Sequence, residues 1–205
     1  MYIPKYFRLT DLEKIESFIR QNSFAMLISN GDVPMATHIP IELETNETGE
    51  SILRGHISRG NPQWKTFEKH ENVLAVFSGP HHYVSSSWYN HVNVPTWNYI
   101  AVHVHGKIKI VDGDVLYQSL KTLVDKYEAG SEKPARVENM MDYVLQQMKG
   151  IVGFEIKIES IEGKWKLSQN RDDADYENII AQLEKLNDEN ARLIAEEMKT
   201  LRGDS

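Results

Sequence analysis

Over residues 97–111 the chain alternates without a break: Ile100, Val102, Val104 and Gly106 fall on one face, Ala101, His103 and His105 on the other. A period of two sustained that far specifies a long strand with one face turned to a core. Such a strand needs partners, and the sequence offers them on both sides. Residues 24–29 and 33–43 flank Asn30-Gly31, a dipeptide that favours a hairpin. A second turn at 46–50 precedes a strand at 52–58, and 73–77 is a short apolar strand. Residues 83–89 read as another strand. Alternation returns at 151–158, and Glu162-Gly163 reads as a turn into 164–171. Six or seven strands joined in this way, with helices set apart from them, specify a closed or split antiparallel barrel with helical decoration.

Helical signals mark the remainder. Thr10-Asp11-Leu12-Glu13 is a capping-box pattern with Thr10 as N-cap, and Leu12, Ile15, Phe18 and Ile19 follow at helical spacing. Asn61-Pro62 predicts a helix running to about His70 with Trp64 and Phe67 inward. Apolar stripes led by Leu116, Leu120 and Leu123, then by Val144 and Met148, place a helical insertion at about 114–149. From Asp173 a single helix is expected, with Ile179, Leu183, Leu186, Asn190 and Leu193 on one seam that docks on the body or on a twofold partner. Domain organisation then reads as a barrel domain at 1–171 and an acidic helix at 172–205.

Residues 79–106 hold five of the eight histidines and two of the four tryptophans, with no acidic residue and no basic one besides histidine. Exposed connections are normally charged, so a polar, aromatic and almost uncharged stretch suggests a lined cavity or an interface, or else two buried strands with a wet joint. His103 and His105 point the same way. Without a third ligand at readable spacing they read as hydrogen-bonded or cavity-facing imidazoles rather than a metal site.

At Ser58-Arg59-Gly60-Asn61 a strand leads straight into a predicted helix N-terminus. Backbone N–H groups, a hydroxyl and a guanidinium meet there, which makes a phosphate cradle; an ordinary turn capped by Asn61, with Arg59 in solvent, is the other reading. All four tryptophans stand beside Gly, Ser, Asn or His, a setting that suits a planar aromatic ligand. The net charge of −7 is concentrated in the tail, where ten acidic residues face four basic ones after Arg171. No basic stripe or helix is visible, so direct DNA contact runs against the charge. With no cysteine there is no disulfide framework and no thiolate site. No apolar run is long enough to span a membrane, and a cytoplasmic protein is expected.

Several longer motifs carry a resemblance: A-T-H-I-P at 36–40, R-G-H-I-S-R-G-N-P-Q-W at 54–64, G-P-H-H-Y-V-S-S-S-W-Y at 79–89, V-P-T-W-N-Y at 94–99, and I-V-G-F-E-I through G-K-W-K-L-S-Q-N-R at 151–171. In this order they resemble the PaiB-type proteins, FMN-binding negative transcriptional regulators of sporulation and protease production. The resemblance implies the FMN-binding split barrel, a six-stranded Greek-key barrel that holds FMN at a homodimer interface. It places Thr37 and His38 beside the isoalloxazine ring and His56, Ser58, Arg59 and Asn61 towards ribityl and phosphate, with Trp64 following in the same motif. Trp97, Lys164 and Trp165 would close the site. DNA is a partner by resemblance only. Two other activities fit such a barrel: a flavin-dependent oxidoreductase using a reduced nicotinamide, with Lys164, His38 and Tyr99 as candidate tuners of the flavin, and a haem-handling protein.

Overall fold

The computed structural model describes residues 1–203. Seven strands form, namely β1 (Arg8–Leu9), β2 (Phe24–Ser29), β3 (Met35–Thr45), β4 (Ser51–Ser58), β5 (Asn72–Val84), β6 (Thr96–Val111) and β7 (Ile151–Lys166). They pair in the order β1-β7-β4-β3-β2-β5-β6, and a further β6–β7 pairing joins the two ends. The result is a closed six-stranded antiparallel barrel, with β1 added on the edge of β7. Five helices accompany it: α1 (Leu12–Gln21), α2 (Gly113–Glu128), α3 (Met141–Met148), α4 (Asp173–Glu184) and α5 (Glu189–Gly203).

The chain divides into two compact units, and β5, β6 and β7 each contribute residues to both. One unit comprises Ile19–Phe77 and Val104–Ile161. Its core is the inward face of alternating strands, including Leu27, Ile41, Leu53, Phe77 and Ile156, with Phe67 edge-on to Phe154 at 6.0 Å between ring centroids. Gly106 sits where β6 meets β7. An ideal Cβ there would lie 2.3 Å from the Lys157 carbonyl oxygen, so only glycine allows the backbones to approach this closely.

The other unit comprises Met1–Phe18, Ser78–His103 and the described part of Glu162–Ser205. Trp165 is buried against Phe18, edge-on at 5.1 Å. α4 and α5 pack on each other through Tyr176, Ile179 and Leu183 on one side and Ala191, Ile194, Ala195 and Met198 on the other. Burial pushes the Tyr176 phenol up to about 12, and its hydroxyl donates to the Met198 carbonyl at 2.8 Å. Asp175, also buried, accepts from the Asn90 backbone N–H at 2.8 Å and so ties the β5–β6 connection to α4.

Five expectations are corrected. Asp11, not Thr10, caps α1, its Oδ1 accepting from the Lys14 N–H at 3.1 Å. The predicted helix at 62–70 is a short 3-10 turn, Pro62–Thr66. Residues 83–89 are not a separate strand: β5 runs on through Gly79-Pro80 to Val84, and a 3-10 turn follows at Ser86–Trp88. Gly79 is needed for packing rather than turning, since a Cβ there would lie 2.6 Å from the Phe18 ring. β7 likewise passes through Glu162-Gly163 without a turn, because Gly163 pairs with Leu9 of β1. The tail is two helices, not one. Asp188 accepts from the Ala191 N–H at 2.8 Å and starts α5 afresh, leaving Leu186 40% exposed and off the buried seam.

Candidate functional site

β3, β4 and the 3-10 turn that follows β4 bring the first group of predicted residues together within one unit. Gln63 is fully buried at its centre. Its amide nitrogen donates to the carbonyls of Leu27 (3.0 Å) and Met35 (3.2 Å) and to Ser29 Oγ (3.2 Å), while its oxygen accepts from the Thr37 hydroxyl at 2.5 Å. Thr37 in turn accepts from Asn61 Nδ2 at 2.9 Å, and Asn61 Oδ1 caps the turn by accepting from the Gln63 N–H at 2.9 Å. The hydroxyl of Thr37 is thereby committed to holding the turn on β3. His38, on the opposite face of the strand, is exposed and stacks on Phe24 at 6.3 Å.

Arg59 is held from two sides. Its Nε donates to the Lys149 carbonyl at 2.9 Å and its Nη2 to the Ile151 carbonyl at 3.0 Å; its backbone N–H reaches the Gly150 carbonyl at 2.8 Å. The guanidinium lies over the Trp64 ring at 5.9 Å, and Trp64 Nε1 donates to the Arg59 carbonyl at 2.9 Å. A rigid cation results, with Nη1 carrying no protein partner among the described residues. Ser58 Oγ, one residue away and exposed, accepts from the Gly60 N–H at 3.3 Å and keeps its own proton to donate. Beside this pair opens a cleft of about 360 Å³, lined by Arg59, Trp64, Leu116, Met148, Lys149 and Ile151 among others. That volume lies at the lower end of the range for small-molecule sites, roughly 300–1,000 Å³. Arg59, Lys149 and the Trp64 indole line it together with aliphatic side chains and the Asp112 carboxylate, and the cations and the indole suit a ligand with an anionic end and a flat apolar body.

His56 stands on β4 opposite Gly153 of β7, half-buried, and burial holds its imidazole below the usual range, so it is neutral. A histidine whose folded pKa is depressed makes the unfolded chain bind more protons. Stability is therefore lost as pH falls from the unfolded value near 6.5 towards the lower folded one. His56→Gln should flatten the urea midpoint against pH in that window. An unchanged profile would remove His56 as the cause.

The remaining predicted residues belong to the other unit. Trp97 is 54% exposed on β6, Lys164 is 8% exposed on β7, and Trp165 faces the core with Phe18. Among the described residues no three His, Cys, Asp or Glu side chains gather to hold a metal. Sequence reasoning did not single out Gln63 or Lys149. The first lay in plain view inside R-G-N-P-Q-W, but its partners come from β2 and β3; the second approaches Arg59 from 90 residues away.

A family model described as a "Putative FMN-binding domain" matches residues 1–160. The protease synthase and sporulation protein PAI 2 of Bacillus subtilis is 44% identical over 97% of both chains. Among solved structures, the flavocytochrome Anf3 of Azotobacter vinelandii superposes with a TM-score of 0.61 at 17% identity, over 86% of this chain and 78% of that one. The FAD and heme binding protein of Mycobacterium smegmatis gives a TM-score of 0.60 at 17% identity, over 85% and 79%. These two likenesses concern the split-barrel fold. On the match over residues 1–160 and the 44% identical relative, the chain belongs to the family described as a putative FMN-binding domain and is a relative of the PAI 2 protein of B. subtilis.

Proposed function

We propose that the chain binds FMN in the cleft beside Arg59 and acts, as a cytoplasmic homodimer, in the control of gene expression, with residues 1–171 as the flavin-binding domain. The observation that carries the flavin assignment is the immobilised Arg59 on the lining of a mainly apolar cleft, in a chain that matches an FMN-binding domain family. Arg59 Nη1 and the Ser58 hydroxyl would take the phosphate, and Trp64 would stand against the flat part of the ligand. His38 stands on β3 and His56 on β4, and Thr37 and Asn61 fix the turn that follows Ser58 and Arg59. Bound FMN would supply a redox centre and a visible chromophore. The regulatory part rests on the name of the B. subtilis relative. With a net charge of −7 and acidic α4 and α5, the expected route is indirect rather than through promoter binding.

An FMN titration followed by visible absorption tests the cofactor. Saturable binding with a shifted flavin band is expected, and Arg59→Gln should weaken it about ten- to a hundredfold, the worth of a charge-assisted hydrogen bond. A colourless protein that takes up no added FMN would sink the assignment. Sedimentation of the protein tests the dimer, and a salt-dependent shift of promoter DNA at physiological ionic strength would overturn the indirect route.

A further inference from the structure

The helical insertion between β6 and β7 is braced within itself and lightly fixed to the barrel. Lys121 Nζ donates to Asp125 Oδ2 at 2.6 Å and pairs with Glu138 at 2.9 Å, Arg136 Nη1 reaches the other Asp125 oxygen at 2.6 Å, and the Ala135 N–H donates to Glu128 at 2.9 Å. These bonds tie α2 to the segment that leads into α3. Of residues 113–149 only Leu116 and Val137 are buried, whereas α4 and α5 bury four residues each. So little buried apolar surface leaves the insertion at the low end of local stability. A glycine stands at either end of it. Gly113 takes a φ of +52° with nothing within 4 Å of an added Cβ, and Gly150 joins α3 to β7.

One polar cluster pins this body down. Lys126, near the C-terminal end of α2, donates from Nζ to Glu42 Oε2 at 2.6 Å, to the Arg20 carbonyl at 2.9 Å and to Ser23 Oγ at 3.1 Å. The neighbouring Tyr127 hydroxyl meets Ser23 Oγ at 2.7 Å. Glu42 is 8% exposed, and its other oxygen, Oε1, is buried with no hydrogen-bond partner among the described residues. A carboxylate so placed depends on the ammonium: without it the charge is uncompensated unless α2 swings away and admits water. The same body contributes Gly113, Leu116, Met148 and Lys149 to the lining of the cleft beside Arg59. Leu116 rests on Gly153 so closely that a Cβ there would lie 2.8 Å from its Cδ1. Arg59 spans the second glycine, its backbone N–H on the Gly150 carbonyl and its side chain on those of Lys149 and Ile151.

We propose that residues 113–149 are a hinged flap, latched by Lys126 on Glu42 and Ser23, whose release opens the Arg59 cleft to its ligand. Lys126, Glu42 and Tyr127 are positioning residues: none of them lines the cleft, and they act through where they hold α2. A ligand in the cleft meets the flap at Leu116 and Met148 and the barrel at Arg59 and Trp64, so it favours the latched state. That the ligand is FMN rests on the reading above; the hinge and the latch do not.

Hydrogen exchange of the full chain tests the flap, and stopped-flow mixing with FMN tests what it admits. Once detached, helices of 16 and 8 residues fray, so exchange reports release. In Lys126→Met, amides of 113–149 should exchange about ten- to a hundredfold faster, the worth of bonds to a charged group, while those of β4 and β5 keep their rates. FMN uptake and release should both quicken about tenfold, with a smaller change in affinity, a pattern that plain loss of stability does not give. Should Lys126→Met fail to fold, Tyr127→Phe, which removes one neutral bond, should show the same regional pattern at about two- to tenfold. Unchanged exchange in 113–149, or a rise shared equally by β4 and β5, overturns the proposal. Unchanged FMN rates alongside accelerated exchange overturn it too, since the ligand would then enter by another route. A protein that takes up no FMN removes the flavin reading, and the exchange pattern alone then decides for or against the flap.

Discussion

Gly106→Ala should cost about 3 kcal/mol or more of stability, read as a lowered urea midpoint, or leave the protein unfolded. A methyl at that point would meet the Lys157 carbonyl oxygen at 2.3 Å and Ile156 Cγ2 at 2.7 Å, and the first of these is backbone that cannot rotate aside. Relief requires β6 to part from β7, the pairing that closes the barrel. Gly113→Ala provides the contrast. Gly113 has φ of +52° but nothing within 4 Å of an added Cβ, so the change costs only backbone preference, about 1 kcal/mol. A Gly106→Ala protein as stable as the parent would show that the strands can separate there at little cost.

Gln63→Glu should be nearly as damaging, at about 3–5 kcal/mol at neutral pH. It keeps the shape but replaces an amide that donates to two carbonyls with a carboxylate that repels them, at a fully buried position. The sign with pH is diagnostic. A carboxyl placed there has a raised folded pKa, and its protonated form regains one donor, so the deficit should shrink as pH falls. Any surviving protein should also bind FMN less tightly than the parent, because the Thr37–Gln63–Asn61 chain sets the turn from which Arg59 projects. Undiminished stability at pH 7 would mean that the amide's bonds to Leu27 and Met35 contribute little.

The strands were legible because burial on one face imposes a period of two, visible in residues 97–111 and 151–158 without any knowledge of partners. Their pairing was not. That His56 faces Gly153, or that β6 closes on β7, depends on chain segments about 50 to 100 residues apart. Glycine misled where it served close packing: Gly79 and Gly163 look like turn residues in sequence, yet both lie inside continuous strands against Phe18 and Ile15. The split of the tail was available in Asp188, a good cap overlooked beneath a plausible seam. In the site, the local part was readable, since Asn61 caps the next turn and Trp64 lies five residues from Arg59. The carbonyls that immobilise Arg59 come from Lys149 and Ile151, and no short motif can announce them.

Three strands serve both compact units, so neither unit corresponds to an uninterrupted stretch of polypeptide. Cutting the gene anywhere between residues 19 and 161 would hand each fragment partial pieces of both bodies. Recombination can therefore transfer this architecture only as a whole, and exchange between relatives should be confined to side chains and loop lengths rather than to modules.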